Sequence, residues 1–150
     1  MNEGAHTGSL PAIIHIVDDD QAIRRALARL VRSLGMEPRT FHSPKQFVEE
    51  ADVKEVQCLL LDVQLPGMSG PDLYEYMIEI GRDVPVIFLT AHPDETGRAR
   101  ARMLDAVAYL EKPFDEQCLL AAISTALQSH RPRPGRTSRP SRPRDEPGLN

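Results

Sequence analysis

Apolar residues in this chain gather into three short, nearly unbroken runs, and the polar stretches between them repeat at helical spacing. AIIHIV at 12–17, CLLLD at 58–62 and VPVIFLT at 84–90 show almost no alternation of apolar and polar positions. A strand with one wet face alternates, whereas a strand covered on both faces does not, so these runs predict central parallel strands. From Gln21 to Leu34, the residues Ile23, Leu27, Leu30, Val31 and Leu34 recur every three or four positions. Arg24, Arg25, Arg29 and Arg32 fall largely on other faces, and the pattern predicts an amphipathic helix directly after the first strand. MEPRTF at 36–41 reads as a weaker strand, and Pro38, which has no amide donor, places it at a sheet edge.

The same pattern continues to the end of the apolar region. Ser43 followed by Pro44 begins a short helix to about Ala51, the hydroxyl capping free amides and proline filling the first helical position without loss of a needed donor. Ser69 caps the next helix, with Asp72 near its positive end, Leu73, Tyr76, Met77 and Ile80 facing inward and Gly81 ending it. An arginine-rich helix at 95–105, a strand AVAYLE at 106–111 and a helix at 115–128 carrying Cys118, Leu119, Ala122, Ile123 and Leu127 complete the series. Five strands alternating with five helices predict an α/β fold, a doubly wound parallel sheet with helices on both faces.

Composition adds boundaries to this picture. A chain of 150 residues with 41% hydrophobic content supports one ordinary domain. No run approaches a membrane span, the first residues lack a secretory pattern, and a soluble cytoplasmic protein is expected. Cys58 and Cys118 are far apart in apolar surroundings and read as packing residues, not as a disulfide or zinc motif. The formal net charge is −4, but residues 129–150 hold six arginines and five prolines against Asp145 and Glu146, which leaves −8 on residues 1–128. The expected organisation is a flexible lead at 1–10, a folded domain at 11–128 and a disordered tail at 129–150, whose composition buries too little surface to offset its ordering entropy. The tail encodes no helix-turn-helix, so the folded domain is not expected to bind DNA directly, and a stand-alone protein is favoured over the regulatory piece of a longer one.

The polar residues that interrupt the apolar runs fall at strand ends, where ligands of open α/β sheets bind. Asp18 and Asp19 follow strand 1, Asp62 ends strand 3, Thr90 ends strand 4 and Lys112 follows strand 5. Three carboxylates crowded at one rim repel one another, and a hard, oxygen-rich pocket of this kind suits Mg2+. Lys112 can pair with Asp62 and with a transferred phosphoryl group, and the Thr90 hydroxyl can donate to a phosphoryl oxygen. Asp62 then becomes a nucleophile that accepts a phosphoryl group while Mg2+ and Lys112 offset the developing charge. Asp20 is expected to cap helix 1, His15 to be structural and His92 to be a rim residue.

Taken in order, the acidic pair in VDDD, the aspartate in LLLDVQLPGMSG, the threonine in FLTAH and the lysine in YLEKPF make the chain resemble the receiver domain of bacterial two-component response regulators over residues 12–128. The likeness is greatest to receivers that precede a helix-turn-helix output domain. The resemblance implies the flavodoxin-like strand order 2-1-3-4-5 and a phosphorylation-dependent switch rather than a turnover enzyme, with a histidine kinase or phosphotransfer protein as phosphodonor to Asp62. It implies that Asp19 and Asp62 bind Mg2+ directly, that Asp18 assists through water and that the Gln64 carbonyl is a further ligand. It also implies a cis peptide between Lys112 and Pro113, a switch pair in Thr90 and Tyr109, loop-shaping roles for Pro66 and Gly70, and homodimerisation through helix 4, strand 5 and helix 5. Asp105 stands where such receivers commonly have glycine, so a left-handed helix cap would fall on an aspartate. Two other readings stay open: a receiver-like partner-binding module that works without phosphorylation, and an aspartyl-nucleophile phosphatase, which usually needs a second acid/base group that Val63 and Gln64 do not supply.

Overall fold

A computed structural model describes residues 10–129; the expectations for the lead at 1–9 and the tail at 130–150 lie outside the described residues. Five strands, β1 Ile13–Val17, β2 Glu37–Phe41, β3 Cys58–Asp62, β4 Val86–Thr90 and β5 Ala108–Glu111, alternate with α1 Gln21–Ser33, α2 Pro44–Glu50, α3 Gly70–Glu79, α4 Glu95–Met103 and α5 Glu116–Ser129. All pairings are parallel and the order is β2-β1-β3-β4-β5, which puts the Pro38-bearing strand at an edge as expected. A 3-10 turn at Val53–Glu55, capped by the Asp52 side chain, was not anticipated.

Alternate residues of the central strands serve two separate cores, which is why those strands read as continuous apolar runs. Val17, Leu59, Leu61, Val86 and Phe88 pack with Phe47, Leu73, Tyr74, Met77 and Ala101 on the side of α2, α3 and α4. Ile14, Ile16, Leu60, Ile87 and Leu89 face the other way, against Leu27 and Val31 of α1 and Leu119 and Ile123 of α5. Register aligns Val17 with Leu61 and Leu61 with Phe88, so the strands reach their carboxyl ends together and share one rim.

Helix termini follow the sequence closely. Asp20 caps α1, its carboxylate accepting from the Ala22 and Ile23 amides at 2.9 and 3.3 Å. Ser43 and Ser69 cap α2 and α3 by accepting from Gln46 and Asp72 amides. Beyond α4, Asp105 has φ 57°, so the left-handed position indeed falls on an aspartate.

Two side-chain expectations need correction. Ile80 was placed on the inward stripe of α3, but it lies past the last helical residue and is 43% exposed, while Tyr74 is fully buried. The Tyr74 hydroxyl donates to the Val84 carbonyl at 2.6 Å and its ring stands edge-on to Phe88, so this tyrosine behaves as a core residue with a satisfied polar tip. Cys58 is buried as expected, but Cys118 is exposed, because the inward positions of α5 are Leu119, Ala122, Ile123 and Ala126 and Cys118 lies one step, about 100°, off that stripe.

His15 is structural, and its setting makes the fold acid-sensitive. The imidazole is 1% exposed, stacked on Phe41 and edge-on to Phe47, and among the described residues Nδ1 has no hydrogen-bond partner. Burial, reinforced by Arg39, lowers its pKa from 6.5 to about 4. A base depressed in the fold contributes stability in full above its unfolded pKa and loses it as pH falls from 6.5 towards 4. The loss amounts to about 3 kcal/mol at most. Urea midpoints at pH 7 and pH 4.5 should therefore fall less in His15→Leu than in the wild type; equal falls would refute the assignment.

Candidate functional site

The shared rim collects the polar strand-end residues. Asp18 follows β1, and its backbone is tied to the sheet by an amide bond to the Phe41 carbonyl at 3.1 Å. Asp62 ends β3, its register partner on β4 is Leu89, and Thr90 is the next residue. Thr90 pairs in register with Glu111, and the Lys112 amide donates to the Thr90 carbonyl at 2.8 Å, so Lys112 leaves β5 beside the same crevice. The Lys112–Pro113 peptide is cis, as the resemblance implied.

Carboxylate oxygens of Asp18, Asp19 and Asp62 lie within 4.8 Å of one another. Asp18 is 1% and Asp62 5% exposed, whereas Asp19 faces solvent. The Lys112 ammonium contacts Asp18 Oδ2 at 2.7 Å and Asp62 Oδ2 at 3.2 Å, and the Gln64 amide donates to Asp62 Oδ1 at 3.1 Å. One cation thus stands between two buried anions. Burial and the adjacent Asp18 charge push the Asp62 carboxyl above the usual carboxylate range, against the opposing pull of Lys112 and the Gln64 amide. Burial pulls the Lys112 ammonium down, but its bonds to Asp18 and Asp62 outweigh that, and it is held above its ordinary value.

The arrangement fits Mg2+. Octahedral Mg2+ holds oxygens at about 2.1 Å, so two directly bound oxygens lie no more than about 4.2 Å apart. The three carboxylates, whose oxygens all lie within 4.8 Å of one another, are close enough to gather around one such ion. Asp19 is the solvent-facing member of the trio.

Thr90 is fully buried and its Oγ1 accepts from the His92 amide at 3.0 Å, which leaves the hydroxyl proton free to be donated. His92 itself is exposed at the rim. Tyr109 is half-buried against the α2–α4 core, its hydroxyl accepts from the Asp94 amide at 3.4 Å, and the Arg98 guanidinium lies 5.1 Å from its ring centroid. The described hydrogen bonds do not join Thr90 directly to Tyr109.

Gly70 has a steric reason to be glycine. A β-carbon built there would sit well inside contact distance of the Asp62 carbonyl oxygen, and 3.1 and 3.2 Å from Asp62 C and Val63 Cα. The close approach lets the Gly70 amide bond the Val63 carbonyl at 2.9 Å, locking the start of α3 to the end of β3. Pro66 lies exposed on the intervening loop.

Three contributions were not foreseen. Arg24, read as a surface residue of α1, donates to the Asp18 carbonyl at 2.7 Å. Gly97 makes room for Tyr109, since a β-carbon there would fall 2.5 Å from the tyrosine hydroxyl. Arg100 reaches from α4 to α3, pairing with Asp72 at 2.7 Å and Glu75 at 3.0 Å, and its hydrogen bond holds Asp72 below the usual carboxylate range. The Gly97 contact could have been suspected from a glycine inside a helical pattern; the two arginine contacts span elements, and helical spacing gives no signal of them.

A parallel sheet in the order 2-1-3-4-5, with acidic residues, a threonine and a lysine at its carboxyl rim, is the build of a signal receiver. The response regulator receiver domain matches residues 14–124, and the chain belongs to that family. It is 39% identical over 123 residues to the response regulator protein TmoT of Ectopseudomonas mendocina, covering 82% of this chain and 56% of that protein. Nodulation protein W of Bradyrhizobium diazoefficiens is 39% identical over 132 residues, covering 87% of this chain and 58% of that protein. Among solved structures, the response regulator StyR superposes with a TM-score of 0.73 at 40% identity, covering 79% of this chain and 60% of StyR. The chain thus spans little more than half the length of these relatives. Family membership implies phosphorylation-dependent signalling. No described helix is long and apolar enough to cross a membrane.

Proposed function

We propose that the chain is a cytoplasmic receiver in which Asp62 accepts a phosphoryl group, with Mg2+, from a histidine kinase or phosphotransfer protein, and that it is a switch rather than a turnover enzyme. The observation that carries this reading is the contact of one ammonium, Lys112 Nζ, with both Asp18 at 2.7 Å and Asp62 at 3.2 Å beside exposed Asp19. An Asp62 oxygen attacks phosphorus, the donor's P–N bond breaks, and the donor imidazole leaves with the bond's electron pair. Asp19, Asp62 and the Gln64 carbonyl would hold the metal, with Asp18 acting through water, and the metal would offset charge on the phosphoryl oxygens. Lys112 supplies positive charge and the Thr90 hydroxyl donates to a phosphoryl oxygen. Thr90 and Tyr109 form the switch, because movement of the hydroxyl toward the phosphoryl group alters the space beside the α4 start, where Tyr109 contacts Asp94 and Gly97. The folded domain spans 11–128, with the lead and tail as accessory segments.

Incubation with a small phosphodonor and Mg2+ should add one phosphoryl mass to the intact protein, in a base-labile form. Absence of label would leave the phosphorylation-independent binding reading, and catalytic turnover of phosphomonoesters would favour the phosphatase. Mg2+ alone at about 10 mM should raise the thermal midpoint, because it binds the folded pocket and not the unfolded chain. An unchanged midpoint would remove the metal assignment.

Dimerisation through α4, β5 and α5 is a further part of the reading. Arg98 and Arg100 already have partners within the chain and the Asp115 carboxylate accepts from the Cys118 amide, which leaves Arg102 and Glu111 as the more available charges of that surface. Reciprocal pairing across a two-fold axis should strengthen on phosphorylation. Sedimentation coefficients that stay equal with and without the phosphoryl group, from micromolar to millimolar protein, would count against it.

A further inference from the structure

The arginines of α1 form a feature that the acceptor chemistry does not use. Arg24, Arg25, Arg29 and Arg32 line a groove of about 520 Å3 between α1 and the edge strand β2, with Pro38 and Thr40 on its opposite wall. Positions 25, 29 and 32 follow the i, i+4, i+7 rule, so their guanidinium groups make a row along about 10 Å of helix. Arg24 marks the end nearest the acceptor pocket, through its bond to the Asp18 carbonyl.

Among the described residues, Arg25, Arg29 and Arg32 form no ion pair, whereas Arg39 on β2 is paired with Glu37 and Glu55. Four like charges on one face repel one another, which an anion laid along the row would relieve. The row also stands out against a domain with net charge −8 over residues 1–128. A negatively charged chain is repelled by the domain as a whole and attracted locally here, which orients the encounter. The groove is partly open to solvent, whereas small-molecule sites bury most of their ligand; a chain segment suits it better.

We propose that the α1–β2 groove docks an acidic segment of a partner protein, whose aspartate and glutamate side chains pair with Arg25, Arg29 and Arg32. Docking there places the partner beside the acceptor rim without occupying it.

Fluorescence anisotropy with a labelled ten-residue Asp/Glu peptide, its Asn/Gln counterpart and the full chain tests the proposal. The acidic peptide should bind, the neutral peptide should not, and affinity should fall as salt rises. The combined Arg25→Gln, Arg29→Gln and Arg32→Gln protein should bind about tenfold more weakly, at a thermal midpoint no lower than that of the wild type. The basic tail is controlled with a 150-residue variant carrying Arg131→Gln, Arg133→Gln, Arg136→Gln, Arg139→Gln, Arg142→Gln and Arg144→Gln; it should keep its dependence on the α1 arginines. Equal affinity of wild type and the α1 variant, or loss of binding in the tail variant alone, would overturn the proposal. So would tighter binding of an oligonucleotide of equal charge through the same three arginines, which would assign the groove to nucleic acid.

Discussion

Asp62→Asn is expected to abolish the acylphosphate completely while raising the thermal midpoint at neutral pH. The amide keeps the size of the side chain and the bond from the Gln64 amide but has no nucleophilic oxygen anion. Asp18 and Asp19 stand in the same cluster, yet only Asp62 ends a central strand between them and the residues of β4 and β5. The rise in stability has a separate origin. Burial, followed by the Asp18 charge, raises the Asp62 pKa in the fold, so the ionised carboxylate disfavours the native state at pH values above both its folded and unfolded pKa. Removing the charge removes that cost, and the gap between variant and wild type should close as pH falls through the raised pKa and wild-type Asp62 itself becomes neutral. Intact mass and peptide mapping under acylphosphate-preserving conditions check the first part, and melting curves across pH check the second. Wild-type labelling of the variant would sink the acceptor assignment; a lower midpoint would sink the electrostatic account.

Gly70→Ala should damage stability and chemistry together. The added methyl meets main-chain atoms, the Asp62 carbonyl oxygen above all, and no flexible side chain there can swing aside. Overpacking of this kind costs about 1–3 kcal/mol, and relief requires β3 and the start of α3 to part. Since the displaced strand end carries Asp62, phosphorylation by a small donor should slow along with the fall in the urea midpoint. A variant with wild-type stability and rate would show that the segment yields freely.

Much of this architecture was legible because its determinants are local or periodic. The β1, β3 and β4 runs lack alternation for the reason now visible, two cores served by alternate residues. Pro38 marked an edge strand, and Asp20, Ser43 and Ser69 declared helix starts. The rim trio and Lys112 were legible because carboxyl ends of parallel strands converge whatever the lengths of the connections. What escaped were properties set by rotation and reach. Tyr74 and Ile80 exchanged burial because the helix ended one residue sooner and a tyrosine found a carbonyl for its hydroxyl. Cys118 missed the inward stripe by one step. The Arg24 and Arg100 contacts depend on long side chains crossing between elements, which no one-dimensional pattern records.

The bridge from Arg100 to Asp72 and Glu75 bears on how firmly α4 is held against α3. Both pairs are partly exposed, and together they are worth about 1 kcal/mol. A bias of that size would change the ratio of any two helix placements about fivefold. It falls well short of the ten-thousand-fold or so that separates a 1:99 mixture from a 99:1 mixture. The bridge therefore ties α4 to α3 only weakly, and because its pairs are screened by ions, the tie loosens as ionic strength rises. The contact between α3 and α4 is one that salt alone can relax.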